Sequence, residues 1–251
     1  AGDILRPWSV TAKAGMLGES GLVGDMAFPK VTQKPTPAWV PNESAQVTPS
    51  QPTLAQVALS PKTVANLVVF SRQLAKQTNA SRVVGRELLR TLGTSIDQAV
   101  LSGSGASGQP TGLLNTAGVQ TQSGTTLNAG VATMKRKSAE ANVTDEAISY
   151  LSTPAVRELL EGRERATGGG RFVWDKDQVA DRAAYVSTDV PTATMICGDW
   201  SLIYLGIWGE GFVLEVNPFD PTSFKTGTIQ ARMLVTCDVA VLHPSAFVVA
   251  S

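Results

Sequence analysis

Seven of the fourteen prolines in this 251-residue chain fall between Pro29 and Pro61. Proline fixes φ and removes a backbone donor, so this stretch excludes both a helix and a central strand. Its flanks nevertheless alternate: Lys30 to Lys34 and Leu54 to Leu59 carry the two-residue period of a ribbon. The pattern predicts a long hairpin with a proline-rich tip near Trp39 to Ser50. A lone hairpin has no core of its own, so it must pack on something else. Trp39, a large aromatic at that tip, is the candidate intersubunit contact.

Around the hairpin the chain reads as α+β. Residues 1–24 form an arm with one short strand expected from Trp8 to Ala12. A strand at Val64–Phe70 leads into a helical turn at Ser71–Lys76. The clearest helix follows, from Ala80 to Leu101, with Val84, Leu88, Leu92, Ile96, Ala99 and Val100 keeping the helical period. Arg82, Arg86, Arg90 and Asp97 are expected on its wet faces, and Gly103 as a left-handed cap. At ~1.5 Å per residue it is a girder roughly 33 Å long. A second helix is expected over Leu127–Ala141, a buried strand over Ile148–Ser152, and a short helix opened by the N-cap Thr153 and Pro154 and running to Glu161. Glu164 to Asp177, with three glycines at 168–170, reads as a mobile loop. Strands are expected at Met195–Cys197, Leu202–Ile207, Phe212–Val216, Gln230–Val241 and Phe247–Val249, with antiparallel connections.

Charge excludes one class of function. Lys plus Arg and Asp plus Glu are both 21, for a formal net charge of +0. A protein that grips nucleic acid along a broad surface is normally basic, because its affinity comes from neutralising phosphates. Any genome contact is therefore expected to be weak and non-specific. Apolar runs such as Ile203–Ile207 are too short to span a bilayer, and no secretory signal opens the chain. Cys197 and Cys237 lack metal-ligand spacing and read as buried free thiols.

No enzymatic site assembles from the motifs. Gly103-Ser-Gly105-Ala-Ser-Gly108 has the spacing of a dinucleotide fingerprint, but a helix precedes it where a strand is needed. His243 is the only histidine, and no Gly-x-Ser-x-Gly elbow accompanies it, so it reads as a packing residue. The carboxylate pairs Asp145/Glu146 and Glu161/Glu164 and the basic run Lys135-Arg136-Lys137 read as solvated faces. No catalytic, cofactor or metal residue is assigned.

The order of elements carries more information than any single site. The string from Asp97 through Leu101, Gly103, Gly108, Pro110, Gly112 and Leu114 resembles the tailed-phage major capsid family with the Hong Kong 97-type shell fold, where a spine helix runs into a Gly-rich turn and a Pro-x-Gly-Leu segment. Val69-Phe70-Ser71-Arg72, Ser152-Thr153-Pro154, Gly198-Asp199-Trp200 and His243-Pro244-Ser245-Ala246-Phe247 resemble further steps of that fold, in order. The resemblance implies an N-terminal arm at 1–24 and an extended β-hairpin loop at 25–63. It implies a peripheral domain at 64–112 and 211–240 with a spine helix at 80–102, and an axial domain at 113–210 and 241–251. Hexamers and pentamers of the chain would form an icosahedral head around double-stranded DNA, assembled in the host cytoplasm. A portal protein would occupy one vertex, with a decoration protein as a further partner and no membrane. It also implies that Ala1 is a terminus left by removal of a scaffolding segment. Some members of the family join subunits through a loop-tip lysine. Here Ala38–Ser44 has no lysine and Lys30, Lys34 and Lys62 lie nearer the base, so an uncross-linked shell is expected. An encapsulin-type compartment around cargo enzymes is the alternative within the fold. A small hydrolase or nucleotide-binding enzyme is the alternative outside it.

Overall fold

A computed structural model of the chain describes residues 9–33, 35–37, 39, 50–77, 80–123, 128–165, 169–219 and 221–251. Its elements run α1 (Val10–Ala14), β1 (Leu17–Leu22), β2 (Met26–Gln33), β3 (Thr53–Leu59), β4 (Lys62–Ser71), α2 (Arg72–Lys76), α3 (Ala80–Ser102), β5 (Gln120–Gln122), α4 (Asn128–Glu140), β6 (Ser149–Ser152) and α5 (Pro154–Glu161). They continue with β7 (Trp174–Asp175), β8 (Gln178–Val179), β9 (Arg182–Val186), β10 (Met195–Gly198), β11 (Ile203–Trp208), β12 (Val213–Asn217), α6 (Pro221–Thr226), β13 (Thr228–Val241) and β14 (Val248–Ala250). Short 3-10 turns join several of these.

Three sheets result. The first runs β1-β11-β13-β12, with β4 on the other side of the long β13. The second runs β5-β14-β10-β6-β9-β8-β7, and β2-β3 is a separate ribbon. In the second sheet the central strands β6 and β10 are buried at every position, as strands covered on both faces must be. β4 instead alternates half-buried and exposed residues along its ten positions, so one face of the first sheet is open.

The spine helix α3 joins the sheets. Leu88 and Leu92 pack on Met233, Val64 and Val68 of the first sheet. One helical turn further on, Ile96 and Val100 enter the main core with Met134, Tyr150, Trp200 and Phe247. Trp200 and Phe247 meet edge-on, with ring centroids 5.8 Å apart. Gly198 makes room for this pair, because a Cβ there would lie 2.4 Å from Phe247 Cδ1.

Several expectations need correction. The arm segment expected as a strand from Trp8 to Ala12 is helical from Val10 to Ala14: the Ser9 hydroxyl accepts from the Ala12 N–H as an N-cap, and Gly15 stops the helix at φ 119°. Trp8 and the rest of Ala1–Trp8 lie outside the described residues. Glu164–Asp177 is not a free loop. Arg165 N–H donates to Arg171 at 2.7 Å and Val173 N–H to Arg163 at 2.8 Å, and buried Val173 and Trp174 anchor the return leg, although 166–168 lie outside the described residues. The sheets are mixed, since β1/β11, β5/β14 and β6/β9 pair in parallel. Gly103 is not left-handed. It is glycine because a Cβ would meet the Pro110 and Ala99 carbonyl oxygens at 2.4 and 2.5 Å. The end of the helix is capped by the Asn115 side chain, whose amide donates to the Ser102 and Gly103 carbonyls at 3.1 and 2.9 Å.

Candidate assembly surfaces

Among the described residues the hairpin is anchored at its base. Leu59, Leu22, Trp208 and Ala240 form a small buried cluster, with the Phe28 ring tilted against Tyr204 at a centroid distance of 4.9 Å. The Trp208 indole donates to the Gly24 carbonyl at 2.7 Å. At the turn into β4, the Asp238 carboxylate accepts from the Ser60 N–H at 2.9 Å and from the Lys62 ammonium at 2.8 Å. Asp238 is buried toward the C-terminal end of β13, so this ion pair ties the root of the projection to the longest strand. The Lys62 amine is thus engaged within its own chain.

Beyond the base, the hairpin loses its cover. Leu54 is 62% exposed and Trp39 100%. The two legs remain side by side past the ribbon, where the Thr36 N–H donates to the Ser50 hydroxyl at 3.0 Å. Lys34, Ala38, Val40 and Pro41–Pro49, including most of the expected tip, lie outside the described residues. A second group of uncovered apolar residues sits at the far end of the first sheet: Leu67 and Val69 on β4, Leu214 and Val216 on β12, and Phe219 and Phe224 around α6. The register through β13 puts Leu67 and Val69 on one face of that sheet and Leu214 and Val216 on the other, so these are separate exposed side chains on both faces.

The arm is held by a group that helical periodicity misassigns. Asp97, expected on a wet face, is buried. Its carboxylate accepts from the Ser9 hydroxyl at 2.6 Å, the Thr11 hydroxyl at 2.5 Å and the Val10 N–H at 2.6 Å. Burial raises its pKa above the ordinary carboxylate value, against the lowering effect of these hydrogen bonds. The C-terminal half of α3 is thus covered on a second side by α1, where Gly93 and Leu101 are buried too.

The remaining polar candidates are satisfied within the chain. In the basic run, the Lys135 amine pairs with Asp145 at 2.9 Å, Arg136 pairs with Glu140, and Lys137 donates to the Thr121 carbonyl at 2.6 Å. Asp145 also accepts from Arg182, and that hydrogen bond holds its carboxyl below the usual value. His243 Nε2 lies 3.3 Å from the Ala141 carbonyl, a contact between the residues that follow β13 and α4. The Gly103–Gly108 segment folds back as a tight turn, with the Gly105 N–H bonded to Pro110 at 3.0 Å, and does not open a helix. Among the described residues no His, Cys, Asp or Glu group is arranged to hold a metal ion, and no helix is long and apolar enough to cross a membrane.

Both thiols are free and buried, and burial pushes each pKa up to about 11. Thiolate is the reactive form. The folded protein at neutral pH is therefore expected to leave both cysteines unlabelled by a thiol reagent, and denaturation to expose two. Rapid labelling of Cys197 or Cys237 in the folded protein would contradict the packing around β10 and β13.

Known proteins share this arrangement. The fold superposes on the capsid of a native GTA particle with a TM-score of 0.76 at 12% identity, covering 100% of this chain and 90% of that one. It superposes on a chain from Gordonia phage Cozz with a TM-score of 0.71 at 20% identity, covering 97% and 86%. At these identities the likeness shows the fold alone. In sequence, the major capsid protein of Halomonas phage phiHAP-1 is 27% identical over 252 residues, which is 99% of this chain and 41% of that protein. The chain thus spans about two fifths of that relative's length. The profile of the phage capsid family matches residues 9–251, from the N-cap of the arm helix to the end of the chain. Matched over nearly its whole length, the chain belongs to the phage capsid family.

Proposed function

We propose that this chain is the wall subunit of an icosahedral phage head, assembling with itself as hexamers and pentamers around double-stranded DNA. The observation that carries the reading is the hairpin, which is rooted by Leu59 and Asp238 yet, among the described residues, leaves Leu54 and Trp39 exposed beyond that root. A closed shell supplies the cover, because each projection packs on the next subunit and each subunit makes many modest contacts.

In this reading 1–24 is the arm and 25–63 the extended loop. Residues 64–112 and 211–240 form a peripheral domain, and 113–210 with 241–251 an axial domain. β11 joins the two, since it pairs with β13 while lying in the axial stretch of the sequence. The head is assembled in the host cytoplasm, takes a portal protein at one vertex, and leaves room for a decoration protein. Lys62, tied to Asp238, is not free to form a bond with a neighbour, in keeping with a shell held by packing. Zone sedimentation of the native material is expected to give closed particles containing duplex DNA. A monodisperse monomer or dimer, under conditions that preserve virions, would sink the proposal.

A further inference from the structure

The outer ridge of the spine helix has a composition that the fold does not explain. Counting every fourth residue along α3 gives Arg82, Arg86, Arg90, Thr94, Gln98 and Ser102, a row of hydrogen-bond donors without a carboxylate. The three arginines are exposed, and among the described residues none has an ion-pair partner. In Lys135-Arg136-Lys137, by contrast, the first two side chains have ion-pair partners and the third donates to a backbone carbonyl of its own chain.

Stability within the subunit gives no reason for this placement. The first turn of α3 has no acidic residue. Cations near a helix start oppose the macrodipole, which favours anions there by about 0.3–1 kcal/mol each. Arg82 falls in that first turn, and Arg86 and Arg90 follow in the next two turns.

We infer that Arg82, Arg86 and Arg90 are the place where the shell wall touches the phosphate backbone of the enclosed duplex. This deepens the shell reading and rests on it. Successive arginines rise about 6 Å along a rigid helix, and each duplex strand offers a phosphate per about 3.4 Å of axis. Guanidinium groups take phosphate oxygens two at a time. The row suits a repetitive partner that is met without regard to sequence, and three contacts in a chain of zero net charge make that grip weak. The ridge stops being receptive at Thr94, whose hydroxyl donates to the Arg90 carbonyl at 3.1 Å, and Gln98 beyond it donates to Asp189 at 3.2 Å. A protein partner would find more to hold on the opposite flank, where Val68, Val83, Val84 and Leu88 line an apolar groove beside Glu87.

The test is binding of a short fluorescent DNA duplex to the purified full chain, read by anisotropy across a salt series. Each phosphate neutralised contributes about −0.9 to the slope of log affinity against log salt. Arg82→Gln/Arg86→Gln/Arg90→Gln is therefore expected to lower that slope by about 2.7, so that a fivefold rise in salt weakens wild type about 80-fold more than the variant. Glutamine is a good helix former, so the spine persists, and circular dichroism checks it. Lys135→Gln/Arg136→Gln/Lys137→Gln is expected to leave the slope unchanged. An unaltered slope in the first variant, or an equal loss in the second, would overturn the assignment. A variant that keeps the slope but no longer assembles would overturn it too, by marking the ridge as a contact between copies. Failure of wild type to form closed particles would instead sink the shell reading itself, whatever the slope.

Discussion

Replacing Asp97 by alanine is expected to lower the unfolding free energy of the subunit by about 3 kcal/mol and to free the arm helix. Three donors converge on that carboxylate, from Ser9, Val10 and Thr11. A buried donor left without a partner costs about 1–3 kcal/mol. The upper sum is not reached, because the five-residue α1 can lift off and give its donors to water. Lifting uncovers the C-terminal half of α3, which accounts for the rest of the loss. Hydrogen exchange is the direct readout: amides from Val10 to Met16 should lose protection in the variant while β6 and β10 keep theirs. Unchanged protection of the arm would show that Asp97 does not hold it.

The charge on Asp97 sets how the clamp responds to pH. Burial raises its pKa in the folded protein, so the folded state binds the proton more tightly than the unfolded chain. Lowering the pH from the raised value toward the ordinary carboxylate value therefore adds stability through this group.

Trp39→Ala is expected to weaken assembled particles while leaving the isolated subunit nearly as stable as before. The indole is fully exposed in the single chain, so its removal costs the subunit fold little. Burying a large aromatic on a neighbour is worth about 2–3 kcal/mol per contact, and a closed shell repeats that contact in every subunit. Variant particles should come apart at clearly lower temperature and denaturant concentration than wild type. Equal resistance would remove Trp39 from the interface.

The legible parts of this fold were those with a strong local period. The row Leu88, Leu92, Ile96 and Val100 defined the spine helix because a single buried face repeats every turn. The prolines between 29 and 61 marked the hairpin because they exclude most alternatives, and β2 and β3 pair where the flanks alternate. Thr153 and Pro154 placed α5 through local capping chemistry. What escaped depends on distant chain. Asp97 looked wet because a helical wheel assumes one buried side, whereas α1 arrives from 86 residues upstream to cover another. Gly103 was read for φ, yet its reason is the approach of Pro110. The parallel pairings of β5 with β14 and of β6 with β9 join strands too short to carry a pattern. Trp39 was legible as a residue without a core, and nothing within the chain covers it.

The central claim is that this chain completes itself only against copies of itself. Cryo-electron microscopy of the native particles tests it most directly. The account predicts a closed shell of five-fold and six-fold clusters, with the hairpin of each subunit lying on a neighbour and Trp39 buried beneath it. Particles in which the hairpin folds back on its own subunit, or material that contains no closed shell, would contradict it.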